Sequence, residues 1–411
     1  MADPAATLTQ NVVVGYRLQA DEKTAEAIVA NDCRHSLVGE TPIPSQEYGQ
    51  FERALTGQDL AREPGRLTTK KLTLPLTEEI LGFDATTPPP FDAALQSCGT
   101  QRVAIKAIPI GAVTGGPFRP GETVTSGAKS AVFIDKQTHS AQDYLVFAPL
   151  TGGDFVDTDV IAGADSMASA TASGAAVASG FLYHPLSEST GVVPPSVTAV
   201  QYRGGKAFKI IGARGDATFT FAEGNPGTIQ FTHSGPQLLT VAGGLPAEDP
   251  PANIPVLAAV APLAVGGALV IDPGASQYAP PIVSSFELPI GNQVGDRTTI
   301  TTGGIPGTGL APPRIRQVET TLVFATEDVA DATHNFVQRA TSGDDFAISL
   351  LYGDWEAAGG RVAVHAYSVQ YDAPQYGDNQ GVLGVTMNCK VRRGPRVDWS
   401  WYMAVFYAPT P

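Results

Sequence analysis

Between residues 197 and 235 apolar and polar positions alternate with a period of two, interrupted only by tight turns. VTAVQYR meets KAFKIIGAR across Gly204-Gly205, and ATFTFAE meets TIQFTHS across Gly224-Asn225-Pro226-Gly227. Glycine pairs between alternating runs predict hairpins, because primed turns need positive φ at their centres. In ATFTF, Phe219 and Phe221 share one face and Thr218 and Thr220 the other, the period of a half-buried strand. Near the C-terminus, GGRVAVHAYSVQYDAPQYGDNQGVLGVTMNCK repeats the punctuation: Gly204-Gly205-Lys206 answers to Gly359-Gly360-Arg361, and 224–227 to 377–381 at nearly the same spacing. A strand and a helix precede each copy, KKLTLPL with PFDAALQSCG and QVETTLVF with EDVADATHNFVQRATSG. The pattern therefore predicts a duplicated unit of strand, helix and hairpins, with segment 105–182 inserted into the first copy.

The rest of the chain is read around that repeat. Residues 1–66 predict an arm or domain edge, with a strand over 12–18 and a short helical segment over 23–30. A strand over 67–76 leads to PPPF, where proline opens a helix whose face is Phe91, Ala94, Leu95 and Cys98 and whose stop is Gly99. Segment 105–182 predicts a small β element followed by an Ala-, Ser- and Gly-rich stretch, either an exposed loop or a small projecting module. A Pro- and Gly-rich linker is expected over 244–280, with the second unit over 281–411. There Thr326 is placed to cap a helix over 327–341, with Glu327 and Asp328 in its first turn, Val329, Ala332, Phe336 and Ala340 as its buried stripe, and Gly343 past its end. The final strand, WSWYMAVFY, is apolar on both faces and is expected to be covered on both, one of them by a neighbouring subunit.

Composition fits this reading. Gly 44 and Pro 33 with only 16% charged residues point to many short strands and turns. The net charge of −14 argues against a nucleic-acid binder, which needs a basic face. Cys33, Cys98 and Cys389 form no CxxC pair and no disulfide framework, which suits assembly in a reducing compartment. No signal peptide or transmembrane helix is read; the apolar run 254–271 is broken by Pro255 and Pro262. A soluble protein made in a cytoplasm is expected.

The chemistry-bearing residues form no catalytic, cofactor or metal site. The six histidines, His35, His139, His184, His233, His334 and His365, have no metal-ligand spacing and read as surface or strand histidines. Asp154, Asp157, Asp159 and Asp165 lack the glycine and closing glutamate of a calcium loop. Arg214-Gly215-Asp216 lies within a hairpin, and TGGIPGTGL at 302–310 has no phosphate-binding lysine or following helix. Neither GxSxG nor paired carboxylates in an aromatic cleft appear, so no enzyme is expected and a carbohydrate-active β-sandwich enzyme is disfavoured.

YHPLSESTGVVPPSVTAVQYRGGKAFKIIGARGDATFTFAEGNPGTIQFTHSG resembles the central region of bacteriophage tail tube proteins of long, non-contractile-tailed phages. PFDAALQSCG looks like the short helix just upstream in that family, and SSFELPIGNQVGDRTTI, helix 327–341 and YGDNQGVLGVTMNCKV are similar to its C-terminal half. The resemblance covers 67–104 and 183–407; residues 1–66 and 105–182 depart from it. It implies a mainly β chain of two tandem tail-tube-type sandwich units, each with a short α-helix: 67–104 with 183–243, and 281–411. It further implies self-association into a homotrimeric ring of pseudo-sixfold symmetry, with a hexamer as the alternative. Such rings stack in a virion tail built in the host bacterial cytoplasm, contact tape measure, terminator and distal tail proteins, and pass double-stranded DNA. The alternatives are a distal tail or baseplate-hub component and a capsid decoration or adhesion protein.

Overall fold

A computed structural model describes residues 12–35, 42–51, 66–80, 84–186, 193–222, 224–239, 245–254, 267–272, 277–298, 305, 308, 310–317, 319–357, 359–379, 381–394 and 397–409. The chain is mainly β, as its alternation predicts, and every strand pairing is antiparallel. The first part holds β1 (Val12–Leu18), β2 (Cys33–His35), β3 (Ser45–Phe51), β4 (Arg66–Glu79), α1 (Asp92–Ser97) and β5 (Thr100–Ile110). The insertion supplies β6 (Thr123–Ser126), β7 (Lys129–His139), β8 (Gln142–Thr151), β9 (Val160–Gly163) and β10 (Ser169–Thr171). β11 (Val177–Pro185), β12 (Val197–Arg203), β13 (Lys206–Ala222) and β14 (Thr228–Leu238) return to the first unit. Then come β15 (Ala268–Ile271), β16 (Val283–Pro289), β17 (Asn292–Thr298), β18 (Leu310–Gln317), β19 (Thr321–Glu327), α2 (Phe336–Ser342), β20 (Phe346–Gly353), β21 (Arg361–Tyr371), β22 (Gln375–Asn379), β23 (Val382–Arg392) and β24 (Trp401–Phe406).

Two layers of one continuous sheet face each other, joined where β21 pairs with β23. One runs β3-β4-β14-β13-β16-β19-β23-β22. The other runs β15-β20-β21-β24-β11-β5-β8 and continues into the insertion. Between them lies the main core, where alternate residues such as Leu72, Leu74 and Leu76 of β4 meet Trp401, Met403 and Val405 of β24. Phe219 packs edge-on against Trp401, with ring centroids 5.6 Å apart.

Two stretches of the chain share a strand order. β4 leads through α1 and left-handed Gly99 into β5, β5 pairs β11, and β4 pairs β14. Likewise β19 leads through α2 and left-handed Gly343 into β20, β20 pairs β21, and β19 pairs β23. One of the turn correspondences read from sequence fails. Gly204-Gly205 joins β12 to β13, whereas Gly359-Gly360 lies between β20 and β21, whose counterparts are β5 and β11. The β13–β14 turn does answer to the β22–β23 turn.

The insertion is a module with its own core. From β5 the pairing runs β8, β7, β6, β9, β10, and single pairs Ile110↔Ala172 and Thr114↔Ser169 return it to the end of β5. This closes a small barrel around Phe118, Phe133, Phe147 and Phe155. Closure leaves it no free edge. β7 and β8 are buried on both faces: Phe133 and Phe147 point into the barrel, while Val132, Ile134, Val146 and Ala148 join a second core with Tyr402, Ala404 and Phe406. Both faces of β24 are thus covered by its own chain, so the neighbouring subunit expected over one of them is not needed.

Two helix readings need correction. Segment 23–30 is not helical, because Gln19 Nε2 donates to the Thr24 carbonyl (2.6 Å), Arg17 to the Ala27 carbonyl (3.1 Å) and Glu26 N to Thr198 Oγ1 (2.9 Å). These tertiary bonds take the groups an isolated helix would pair internally, and only one 3₁₀ turn follows, at Ala30–Asp32. α2 starts at Phe336, capped by Asn335, whose Oδ1 accepts from Gln338 N at 2.8 Å. Residues up to Glu327 stay in the β19–β23 ladder, and Thr326 donates its hydroxyl to the Ile282 carbonyl instead of capping. The stretch 244–280 contributes β15, paired with β20.

Gly180 adopts φ 145 at a bulge in the β11–β5 ladder, and a Cβ there would lie 2.1 Å from the Val405 carbonyl oxygen of β24. Gly153, at φ 85, faces open space. We expect Gly180→Ala to cost at least about 3 kcal/mol in denaturant unfolding and Gly153→Ala about 1 kcal/mol, since only the first adds a backbone clash to the strained φ. Equal costs would show that the β11–β24 contact does not constrain the fold.

Candidate functional site

The layer from β3 to β22 ends in two strands that pair on one side only among the described residues, as β2 does with β1. β3 pairs with β4, and β22 pairs with β23. Tyr48 and Tyr376, each followed by glycine, stand exposed on these edges. Open edges of this kind accept another strand unless a charge, proline or bulge blocks them. β3 carries one register shift, between Gly49 and Gln50, and β22 carries none.

A ribbon of β17 and β18 leaves the sheet between β16 and β19. Ile315 lies against Gly99 behind α1, and Lys71 Nζ holds Asp296 at 2.7 Å. Arg314 and Arg316, two residues apart, share a ribbon face, and Arg297 and Arg316 are exposed. Arg314 donates to both Glu22 oxygens, at 2.8 and 3.0 Å. The same carboxylate takes the fully buried Arg214, which also donates to the carbonyls of Pro194 (2.9 Å) and Pro313 (2.7 Å). Although burial alone would raise it, Glu22 is held below the ordinary carboxylate range by these two guanidiniums. The Arg-Gly-Asp triplet is therefore part of β13, with Arg214 inaccessible and Asp216 accepting from Asn292 N at 2.9 Å. Nothing in the sequence alone announced the Arg214–Glu22–Arg314 cluster, whose members come from three distant segments.

The other singled-out residues are dispersed. Asp154 pairs with Lys106 at 3.5 Å and Asp159 with Lys129 at 2.7 Å. Among the described residues no three His, Cys, Asp or Glu side chains gather as a metal site. Cys33, Cys98 and Cys389 are buried and free. Most of 302–310 lies outside the described residues. No described helix is long and apolar enough to cross a membrane. A cleft of about 370 Å³ at the mouth of the sandwich, lined by Phe221, Leu269, Pro281, Phe286 and Tyr352, offers no charged group.

Four histidines are buried, including His334, which lies neither on the surface nor in a strand. Ser97 donates to the Ala94 carbonyl at 2.7 Å, so His233 Nε2, also 2.7 Å from Ser97 Oγ, carries the proton between them. His365 Nδ1 meets Ser349 Oγ at 2.7 Å, His184 stacks on Trp399 at 4.0 Å, and His334 stacks on Tyr278 at 4.5 Å. Burial pushes His184, His233 and His334 down to about 4 and His365 to about 3.

No known protein family matches the chain, and no curated protein matches it significantly. Among solved structures it is similar to the SPP1 tail tube, determined by solid-state NMR and cryo-electron microscopy. The identity is 12%, over 35% of this chain and 78% of that one, with a TM-score of 0.22.

The histidines make stability fall in acid. The unfolded chain, titrating near 6.5, binds protons that the fold refuses until about 4, so stability is full above about pH 6.5 and falls as pH drops from there toward 4. Each histidine adds up to about 1.4 kcal/mol per pH unit. Urea unfolding at stepped pH should show this decline, less steep in His365→Gln; a flat profile between pH 7 and 5 would mean these rings ionise inside the fold.

Proposed function

We propose that this chain is the building block of a bacteriophage tail tube, a structural virion protein of rings that stack into the channel for the genome. The observation that carries the reading is the joining of two like strand–helix–strand units through β13 and β16, in a layer whose outer strands, β3 and β22, pair on one side only among the described residues. These two edges differ, so their union is head-to-tail, and a head-to-tail contact with the right rotation closes a ring without loose edges. Three chains would supply six units. The sequence resemblance across 67–104 and 183–407 supports the same assignment.

The chain's role is passive. Its net charge of −14 disfavours adhesion of DNA phosphates, so a bore carrying part of that charge lets the duplex slide. Partners on this reading are other copies, then the tape measure, terminator and distal tail proteins, with assembly in the host cytoplasm and no catalytic role. A second reading, a decoration or adhesion protein, draws on the separate barrel of 105–182, whose Met167 is 85% exposed.

Negative-stain electron microscopy of the purified protein tests this. Hollow tubes with a regular axial repeat and three chains per ring are expected. Discrete single rings would point to a hub component, and particles that never assemble would favour decoration or adhesion.

A further inference from the structure

β19 is flanked at its two ends by opposite charge. At its N-terminal end the β17–β18 ribbon presents Arg297, Arg314 and Arg316, with Arg214 buried beneath them. Glu22 is shared by Arg214 and Arg314, whereas Arg297 and Arg316 meet no carboxylate among the described residues. At its C-terminal end, Glu327 gives way to Asp328, whose amide bonds the Leu383 carbonyl at 2.8 Å. Asp331 lies in the following turn, and Asp378 holds the β22–β23 turn through Gly381 N at 2.8 Å. None of these three aspartates has a cation partner among the described residues; the nearby Arg339 is turned to Asp272 at 3.4 Å. Tyr376 (49% exposed), Val382 (45%) and Leu383 (54%) stand beside them as unburied apolar surface.

We propose that the basic face of the β17–β18 ribbon docks onto the acidic, apolar-studded end of β22–β23 in another copy of the chain. Seven strand residues hold the two surfaces roughly 20 Å apart, so one copy cannot join its own ends. A surface that is complementary to the far end of the same molecule gives a head-to-tail contact, which propagates along the strand direction or closes on itself. The occupant is a second copy because this chain, acidic overall, itself carries the matching acidic end. The contact runs between strand ends and is distinct from strand addition at β3 and β22; it rests on the self-assembling role proposed above only in requiring that copies associate.

The test is sedimentation velocity and electron microscopy on the full chain across protein concentration and salt. Arg297→Glu with Arg316→Glu, and separately Asp328→Lys with Asp331→Lys, should each weaken association at least ten-fold at low salt, with unchanged circular dichroism and melting. Combining all four in one chain restores the complementarity and should restore assembly. Wild-type association should weaken as salt rises. Either double variant assembling like the wild type, or a four-fold variant that folds yet stays dissociated, overturns the docking while leaving the tube reading standing. A wild-type chain monomeric under every condition overturns both.

Discussion

Everything in this fold leans on β24. All six of its residues pair with β21 and four of them, Met403 to Phe406, also with β11, and the strand is buried on both faces. Trp401, Met403 and Val405 close the main core, and Tyr402, Ala404 and Phe406 close the core under the β7–β8 hairpin. A strand with no solvent on any side must satisfy its backbone within the sheet, and here β24 extends the ladder that β11 forms with β5, far back in the chain. Without it, the second layer would split between its units. The first layer has its own seam, β13 against β16, so the halves are joined twice.

That double seam explains how polar groups are distributed. Interior charge occurs where separate segments must be fastened: Arg214 with Glu22 and Arg314 ties β13 to the N-terminal region and the ribbon, and Arg34 with Glu78 (2.8 Å) ties β2 to β4. Such pairs contribute little net stability compared with apolar packing, yet breaking one partner leaves a buried charge exposed to the full desolvation cost. They fix which segment goes where. Hydrophobic burial does the rest: β11, β21 and β24 link the main core to the second, and β5, β7 and β8 link the second to the barrel core.

Sequence carried the local elements well. β1 spans the residues its alternation picks out, and the face of α1, Phe91, Ala94, Leu95 and Cys98, is buried as its spacing requires. What the sequence could not show was decided at long range. Thr326, Glu327 and Asp328 have the chemistry of a helix start, but the ladder from Thr321↔Lys390 to Glu327↔Gly384 holds them extended. The barrel in 105–182 closes through Ile110↔Ala172 and Thr114↔Ser169, pairs that leave no periodic trace. The glycine pairs at 204–205 and 359–360 look equivalent because a two-glycine turn is the same local solution in any hairpin; only the partners of the flanking strands distinguish them.

Assembly poses a different physical question. A chain of net charge −14 repels its own copies at distance, yet the repulsion is screened beyond roughly 8–10 Å at ordinary ionic strength. Association then depends on what meets at contact. In the proposed docking, an arginine ribbon at one end of β19 and, at the other, aspartates with no cation partner among the described residues would convert uniform repulsion into a directional preference, since only the head-to-tail order places opposite charges together. Like ends meeting would set acid against acid or guanidinium against guanidinium, with the desolvation of both added to the cost. In that docking, the charge that keeps copies apart in solution would also select the orientation in which they join.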